Sequence, residues 1–304
     1  MINPNLKGAD IDPTPVGPVA HPRKPRIVLP KGSCDSHCHI FGPVDKFPYA
    51  PDSNYTPPEA PLAALESLWG LLGFERAVIV QSAVHGTDHS AVVDALRRSG
   101  GRYRGVALIR PDTPESEVAR LNEQGFRGAR LHFMPQLGTI PPSADDVAAV
   151  VKKVRQHNWH IALHIAGNGI VDYEDLVRSL PGQVVIDHMA RVDLRGGLDS
   201  APIQTLKRLL DLGNIWVKLS GTDRLATAPP AMDDSVALAR MLAEHAPERV
   251  VWGSDYPHPN THGFMPDEGD LVDNLAIIAP TDNAMRRLLV DNPTALFDFP
   301  HDQS

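Results

Sequence analysis

The chain has 304 residues, 42% hydrophobic and 22% charged, which is the composition of a globular protein with enough apolar side chains for one large core. Its formal net charge of -8 at pH 7 argues against nucleic acid as a partner, because phosphate binding requires a basic surface. No apolar stretch approaches the length of a membrane span, so no membrane partner is expected either.

Residues 1–33 are rich in proline, and we predict an extended arm that lies on the surface. This stretch lacks the continuous apolar core of a signal peptide. The two cysteines, Cys34 and Cys38, stand four apart in a predicted strand, where they are too far from each other to form a disulfide. Reduced cysteines and the lack of a signal peptide predict a cytoplasmic protein.

From Cys34 onward, short runs rich in β-branched residues alternate with longer amphipathic segments, a pattern typical of parallel strands joined by helices. Eight strands are predicted, the number that closes a barrel. They cover 34–41, 77–83, 104–110, 128–133, 160–165, 184–189, 215–221 and 249–255. We therefore predict an α/β fold, a (β/α)8 TIM barrel over residues 34–298, followed by a short tail at 299–304.

Two connections are longer than the rest, at 41–61 after the first strand and at 256–270 after the last. Loops that follow the strands of such a barrel lie on its C-terminal face. Barrel enzymes keep their chemistry on that face, so the active site is expected there.

Histidine is abundant, with fourteen residues, and several histidines stand at the predicted strand ends. His37 and His39 are two apart in one strand, so they point to the same side and can converge on one atom. His164 follows in the fifth strand, His188 ends the sixth, and Asp255 ends the eighth. Any one of these histidines alone is more simply a core residue, but together they favour a catalytic site that suits a divalent metal.

The segments CDSHCHIFGP, VVIDHM and WGSDYPHPN resemble the amidohydrolase superfamily. Within it, the chain is similar to the branch that contains 2-pyrone-4,6-dicarboxylate lactonase and sulfomuconolactone hydrolase. The resemblance runs from Cys34 to Phe297 and includes the loop FPYAPDSNYTP and the stretch NIWVKLSG. It implies a distorted amidohydrolase-like barrel and a hydrolytic reaction.

The resemblance also implies roles for the histidines. Superfamily members with one zinc use ligands at positions that match His37, His39, His164 and Asp255, which leaves His188 for catalysis. The pyrone lactonase branch is thought to work without an ion and has tyrosine where this chain has His164. That departure points towards metal, and nitrogen-rich ligation favours zinc.

The predicted mechanism uses a metal-activated water that attacks a lactone carbonyl. Asp255 accepts the proton of the water and returns it to the departing oxygen, while His188 and the metal stabilise the developing negative charge. Without a metal, Asp255 is the general base alone.

An anionic substrate requires cationic anchors. Arg130, on the fourth strand, offers a planar fork that matches a carboxylate or sulfonate. The resemblance adds Arg224, Tyr55 and Ser82 as substrate contacts. Arg127, just before the fourth strand, is either a further anchor or structural.

These observations predict a hydrolase of aromatic-compound catabolism that opens a small anionic lactone of the muconolactone, sulfomuconolactone or pyrone dicarboxylate type. Sugar-acid lactone isomerases share the barrel and are the first alternative. A decarboxylase and a non-catalytic binding barrel are the others, and the complete set of histidines disfavours the latter. The sequence is compatible with a homo-oligomer.

Overall fold

The computed structural model describes residues 15–51, 53, 55–134 and 140–300. Eight parallel strands follow one another in chain order, each hydrogen-bonded to the next. They are β1 (Cys34–Cys38), β2 (Arg76–Val80), β3 (Tyr103–Leu108), β4 (Phe126–Phe133), β5 (His160–Ile165), β6 (Val184–Ile186), β7 (Ile215–Leu219) and β8 (Val250–Trp252). The predicted (β/α)8 barrel is confirmed.

Helices connect the strands and cover the outside of the barrel. They are α1 (Leu62–Leu72), α2 (Ser90–Arg98), α3 (Glu115–Glu123), α4 (Ala144–Arg155), α5 (Gly169–Asp172), α6 (Glu174–Ser179), α7 (Ala201–Leu210), α8 (Thr222–Leu225), α9 (Asp233–His245), α10 (Glu268–Asp273), α11 (Leu275–Ile278), α12 (Asp282–Arg286) and α13 (Asn292–Phe297). Within the described ranges, no helix combines the length and the apolar character that crossing a bilayer requires.

Local sequence explains several of these boundaries. Ser143 and Asp146 form a capping box that begins α4, and Gly73 ends α1 with the left-handed conformation that a helix C-cap favours. The strands β6 and β8 end three residues earlier than predicted, at Ile186 and Trp252. The backbone turns left-handed soon after each, at His188 and Asp255, so the strand conformation cannot continue.

The interior of the barrel is filled by small and branched side chains from the strands, among them Val78, Val106 and Val251. Leu296, Phe297 and Phe299 from the end of the chain pack into the same cluster. Phe299 belongs to the predicted tail, but it is buried. The guanidinium groups of Arg76 and Arg104 lie 4.9 and 4.5 Å from its ring, so the C-terminal residues close the end of the barrel opposite to the loops that follow the strands.

The barrel closes between β1 and the segment that follows β8. The Asp255 amide donates to the His37 carbonyl at 2.8 Å, and the His39 amide donates to the Tyr256 carbonyl at 2.8 Å. A Cβ atom at Gly253 would lie 2.5 Å from both the Cβ and the backbone N of His37, so this approach requires glycine. The closure brings two predicted site histidines beside the predicted aspartate.

The described part of the N-terminal arm crosses α10. The Arg23 side chain pairs with Asp270 and Asp273, and the Arg26 amide donates to Asp273 Oδ1 at 2.7 Å. A Cβ atom at Gly269 would lie 2.3 Å from the Arg23 carbonyl oxygen. The arm is therefore fastened to the helix that follows the last barrel loop.

We expect Gly253→Ala to destabilise the protein by at least about 1–3 kcal/mol, because the added methyl group would overlap the His37 backbone, which cannot move without opening the barrel. Urea unfolding measures the change in the free energy of unfolding. Gly70→Ala is the control, because Gly70 lies in α1 with no atom within 4 Å of an added Cβ. Equal stability of the two variants would contradict the close approach.

Candidate active site

A cavity of about 490 Å³ opens where the loops after the strands meet. Its lining is rich in polar and charged side chains, several of them buried. They include His39, Tyr55, Ser82, Arg130, His132, His164, His188, Arg191, Arg224 and Asp255. Of the predicted histidines, His39, His164 and His188 line this cavity together with Asp255, whereas His37 is fully buried and is not part of the lining.

His37, His39 and His188 surround one carboxylate oxygen. Their Nε2 atoms lie 3.7, 3.4 and 3.9 Å from Asp255 Oδ1. His39 Nδ1 is 2.8 Å from the Val80 carbonyl, which can only accept, so this nitrogen carries a proton and Nε2 is the atom that faces the site. The ligand atoms of His37, His39 and Asp255 lie within 4.8 Å of one another, which makes this trio a candidate metal centre.

Asp255 is ionised in this setting. The Arg224 Nε donates to Asp255 Oδ2 at 2.8 Å, and Arg224 also donates to the Pro259 carbonyl at 3.1 Å. Burial alone would raise the pKa of Asp255, but the Arg224 guanidinium and the nearby imidazoles hold that pKa well below its usual range. Burial lowers the pKa of His188 to about 3, so its imidazole is neutral at pH 7.

A left-handed turn follows β6 and shapes one wall of the cavity. Its residues His188, Met189, Ala190 and Arg191 have φ angles of 51°, 50°, 54° and 44°. Such a conformation costs roughly 1–2 kcal/mol for each non-glycine residue, and it is found mostly at functional sites. The turn delivers two cavity-lining side chains three residues apart, His188 and Arg191.

Arg191 is a functional candidate that sequence reasoning missed. Within the described part of the chain, its side chain has no hydrogen-bond or ion-pair partner. Burial lowers the pKa of Arg191 to about 10, which still leaves the guanidinium charged at neutral pH. No sequence pattern could have predicted its place, because nothing in DHMAR specifies a left-handed turn.

A second buried network lies beneath the cavity. Arg130 Nε donates to Asp187 Oδ2 at 2.7 Å, and Lys218 Nζ lies 3.2 Å from Asp187 Oδ1. Lys218 Nζ is also 3.0 Å from His37 Nδ1. Asp187 and Lys218 were not predicted, although the lysine inside the apolar strand IWVKL was a signal. Arg130 NH2 lies 3.4 Å from His188 Nε2, which must accept because a guanidinium can only donate.

The structure pairs His164 with His132. Their Nδ1 atoms are 3.3 Å apart, on residues that stand opposite each other in β4 and β5. His164 is not part of the trio that could hold a metal. The Nε2 atoms of His132 and His164 are buried without a partner, and both residues line the cavity. The predicted fourth ligand therefore lines the cavity, with its ring centroid 5.4 Å from that of His188.

The five predicted substrate contacts divide into two groups. Arg130, Arg224, Tyr55 and Ser82 all line the cavity. Arg127 lies at the start of β4, where its Nε donates to Asp298 Oδ2 at 3.0 Å at the closed end of the barrel. The structure does not bring Arg127 to the cavity, because three residues along a strand separate it from Arg130 by about 10 Å.

Comparison with known proteins places this architecture among curated enzymes. A family model described as amidohydrolase matches residues 34–299. A 2-pyrone-4,6-dicarbaxylate hydrolase of Comamonas testosteroni is 40% identical over 91% of this chain and 94% of its own length. A 4-sulfomuconolactone hydrolase of Hydrogenophaga intermedia is 37% identical over 96% and 97%. A D-galactarolactone isomerase of Agrobacterium fabrum is 29% identical over 90% and 93%.

A solved structure supports the same likeness. The apo structure of a protein of Agrobacterium tumefaciens superposes with a TM-score of 0.80 at 28% identity, and it covers 91% of this chain and 99% of its own. The likeness therefore extends over the barrel and the loops that carry the candidate site.

Proposed function

The chain belongs to the amidohydrolase family, and from that premise we propose that it hydrolyses a small anionic lactone. One observation carries the proposal: the buried, ionised Asp255 borders a cavity that is also lined by imidazoles and guanidinium groups. A carboxylate so placed can take a proton from water, and the guanidinium groups match an acidic substrate.

In the proposed reaction, a water oxygen forms a bond to the lactone carbonyl carbon while Asp255 takes one of its protons. The bond from the carbonyl carbon to the ring oxygen then breaks, and Asp255 returns the proton to that oxygen. The products are a carboxyl group, which releases the remaining proton of the water to solvent at neutral pH, and a hydroxyl group on the same molecule. Negative charge on the carbonyl oxygen is stabilised by Arg130, and His188, whose Nε2 accepts from Arg130, orients that guanidinium beside it.

Arg224 links substrate binding to the basicity of Asp255. In the absence of substrate, Arg224 keeps the pKa of Asp255 low, so the carboxylate is a weak base. When an acid group of the substrate pairs with Arg224, the guanidinium interacts less strongly with Asp255. The pKa of Asp255 then rises, and the carboxylate becomes a better proton acceptor. Arg191 has no partner within the described chain and offers a second anchor, so a substrate with two acid groups fits best, with Tyr55 and Ser82 as further contacts.

We also propose one zinc ion, held by His37, His39 and Asp255. Three ligands with a free position are typical of catalytic zinc, and His37 Nε2 is buried without a hydrogen-bond partner. Such an ion would polarise the lactone carbonyl and acidify water. Ligation through His37 Nε2 requires the His37 proton on Nδ1, which lies 3.6 Å from Asp187 Oδ1 and 3.0 Å from Lys218 Nζ. His164 lies outside the trio, and we assign it to the substrate side.

We also propose that the protein works in the cytoplasm. Cys34 and Cys38 are both free and buried, which suits the reducing cytoplasm. The names of the relatives favour a role in aromatic-compound catabolism. Oligomer formation stays a prediction from the sequence.

Lactone isomerisation is the second candidate, because one relative is named as a lactone isomerase. Isomerisation moves the acyl group between hydroxyls of one molecule and consumes no water. Incorporation of ¹⁸O from labelled water into the product distinguishes the two reactions.

The proposed function is tested with an ultraviolet assay of ring opening on pyrone dicarboxylate and sulfonated muconolactones. Asp255→Asn should lower kcat by about 10²- to 10⁴-fold, because the amide cannot accept the proton of water. Asp45→Asn, at an exposed position, is the matched control and should leave kcat unchanged. Full activity in Asp255→Asn, or no turnover of any lactone by the wild type, would reject the proposal.

Arg191→Met should raise KM by about tenfold to a hundredfold with a smaller change in kcat, since it removes a charged contact to the substrate. Arg195→Met is the control, because Arg195 lies four residues further on, is exposed and pairs with Asp193. Initial rates over a range of substrate concentrations separate KM from kcat. An unchanged KM would show that Arg191 does not touch the substrate.

Elemental analysis of protein purified without chelator should find about one zinc per chain, and chelation should abolish activity. His39→Asn should lower the zinc content, while His262→Gln, on the exposed part of the last barrel loop, should keep it. Full activity without metal would remove zinc from the proposal and leave Asp255 as the base alone.

A further inference from the structure

His258 lies in a buried cluster of charged side chains beside the active site. Its Nε2 is 2.9 Å from Glu268 Oε1, and its Nδ1 is 3.5 Å from Asp223 Oδ2. The exposed fractions of His258, Asp223 and Glu268 are 1%, 7% and 2%. Burying three ionisable groups together is costly unless they are paired, so the cluster requires a charged imidazole between the two carboxylates.

The charge of the imidazole follows from its surroundings. Burial favours the neutral ring, but the carboxylates of Glu268 and Asp223 outweigh burial and raise the pKa of His258 to about 10. The cluster therefore contains an imidazolium at neutral pH, and the lysine and arginine residues of the neighbouring active site contribute none of its direct contacts.

Each member of the cluster stands on a different segment. Asp223 lies in α8 and directly precedes Arg224, and His258 follows Asp255 by three residues. Glu268 is the first residue of α10. The N-terminal arm binds this helix through the Arg23 amide, which donates to Asp267 at the helix N-cap. One imidazole thus joins the loop after β7, the loop after β8 and the outer helix.

Two hydrogen bonds hold the backbone of His258. Its amide donates to the Asp255 carbonyl at 2.7 Å, and its own carbonyl accepts from Thr261 Oγ1 at 2.7 Å. Its φ angle is 57°, a strained value for histidine. His258 does not line the cavity, so its strained backbone is not explained by contact with a ligand there. We attribute the strain to its contacts with the neighbouring residues.

We propose that His258 is a positioning residue for Arg224. By holding Asp223, it fixes the short helix that carries Arg224, and through its amide it fixes the carbonyl of Asp255. The Arg224 guanidinium is then kept on Asp255 Oδ2 at 2.8 Å and on the Pro259 carbonyl at 3.1 Å. The effect of His258 on catalysis rests on the proposed lactone hydrolysis. Its effect on the position of Arg224 is independent of that proposal.

The placement is tested by NMR of protein labelled with ¹⁵N-arginine. The Arg224 Nε–H signal is assigned by its loss in Arg224→Lys, and its exchange with solvent is slow in the wild type because it donates to a buried carboxylate. His258→Gln should speed that exchange by about tenfold or more. His262→Gln, in the same loop and exposed, is the matched control and should leave the exchange rate unchanged. An unchanged Arg224 signal in His258→Gln overturns the proposal, whatever the activity of the enzyme.

A double-mutant cycle on kcat/KM provides the second readout. His258→Gln should lower kcat/KM by about tenfold to a hundredfold. In the double variant it should add little to the loss already caused by Arg224→Lys, because both substitutions disrupt the same pairing of Arg224 with Asp255. Effects that multiply would show a general structural role and overturn the proposal. If His258→Gln does not fold, Glu268→Gln, which keeps the side-chain shape, goes through both measurements with the same criteria. If no lactone is turned over, the proposed function fails and the NMR result still decides on His258.

Discussion

The site depends on one close approach, where the backbone at Gly253 touches the backbone of His37. The buried Asp35 reinforces this contact, because its carboxylate accepts from the Ser254 amide at 2.9 Å and from the Ser254 hydroxyl at 2.7 Å. The contact joins the first strand to the last, and it brings the histidines of one beside the aspartate of the other. The arrangement of the candidate site is therefore a product of barrel closure.

Charge balance explains why the cavity suits an acid. Two buried carboxylates, Asp187 and Asp255, pair with three cations, Arg130, Lys218 and Arg224, which leaves one positive charge in excess. The imidazoles of His37 and His188 contribute no charge, since burial lowers their pKa values. Arg191 then adds a cation without a partner in the described chain. A substrate anion completes the pairing, which is how a protein with a net charge of -8 can still attract an acidic molecule.

Much of the fold followed from periodicity, because eight apolar runs alternating with amphipathic segments fit a barrel and few other folds. The placement of His37, His39, His188 and Asp255 followed as well, since residues at strand ends converge on one face. The ion pair between Lys218 and Asp187 could not be predicted, because a sequence alone does not show which side chains from distant strands meet. Arg191 was missed since its position depends on an unusual backbone conformation.

The left-handed turn after β6 also indicates where thermal resistance could be engineered. His188 and Arg191 supply side chains to the cavity, but Met189 and Ala190 share the unfavourable backbone conformation and line no part of it. The Gly167 amide, which donates to the Ala190 carbonyl at 2.8 Å, helps to hold the turn in place. Glycine adopts such φ angles without steric cost, so Ala190 is a position where the scaffold could gain heat tolerance without altering the groups that line the cavity.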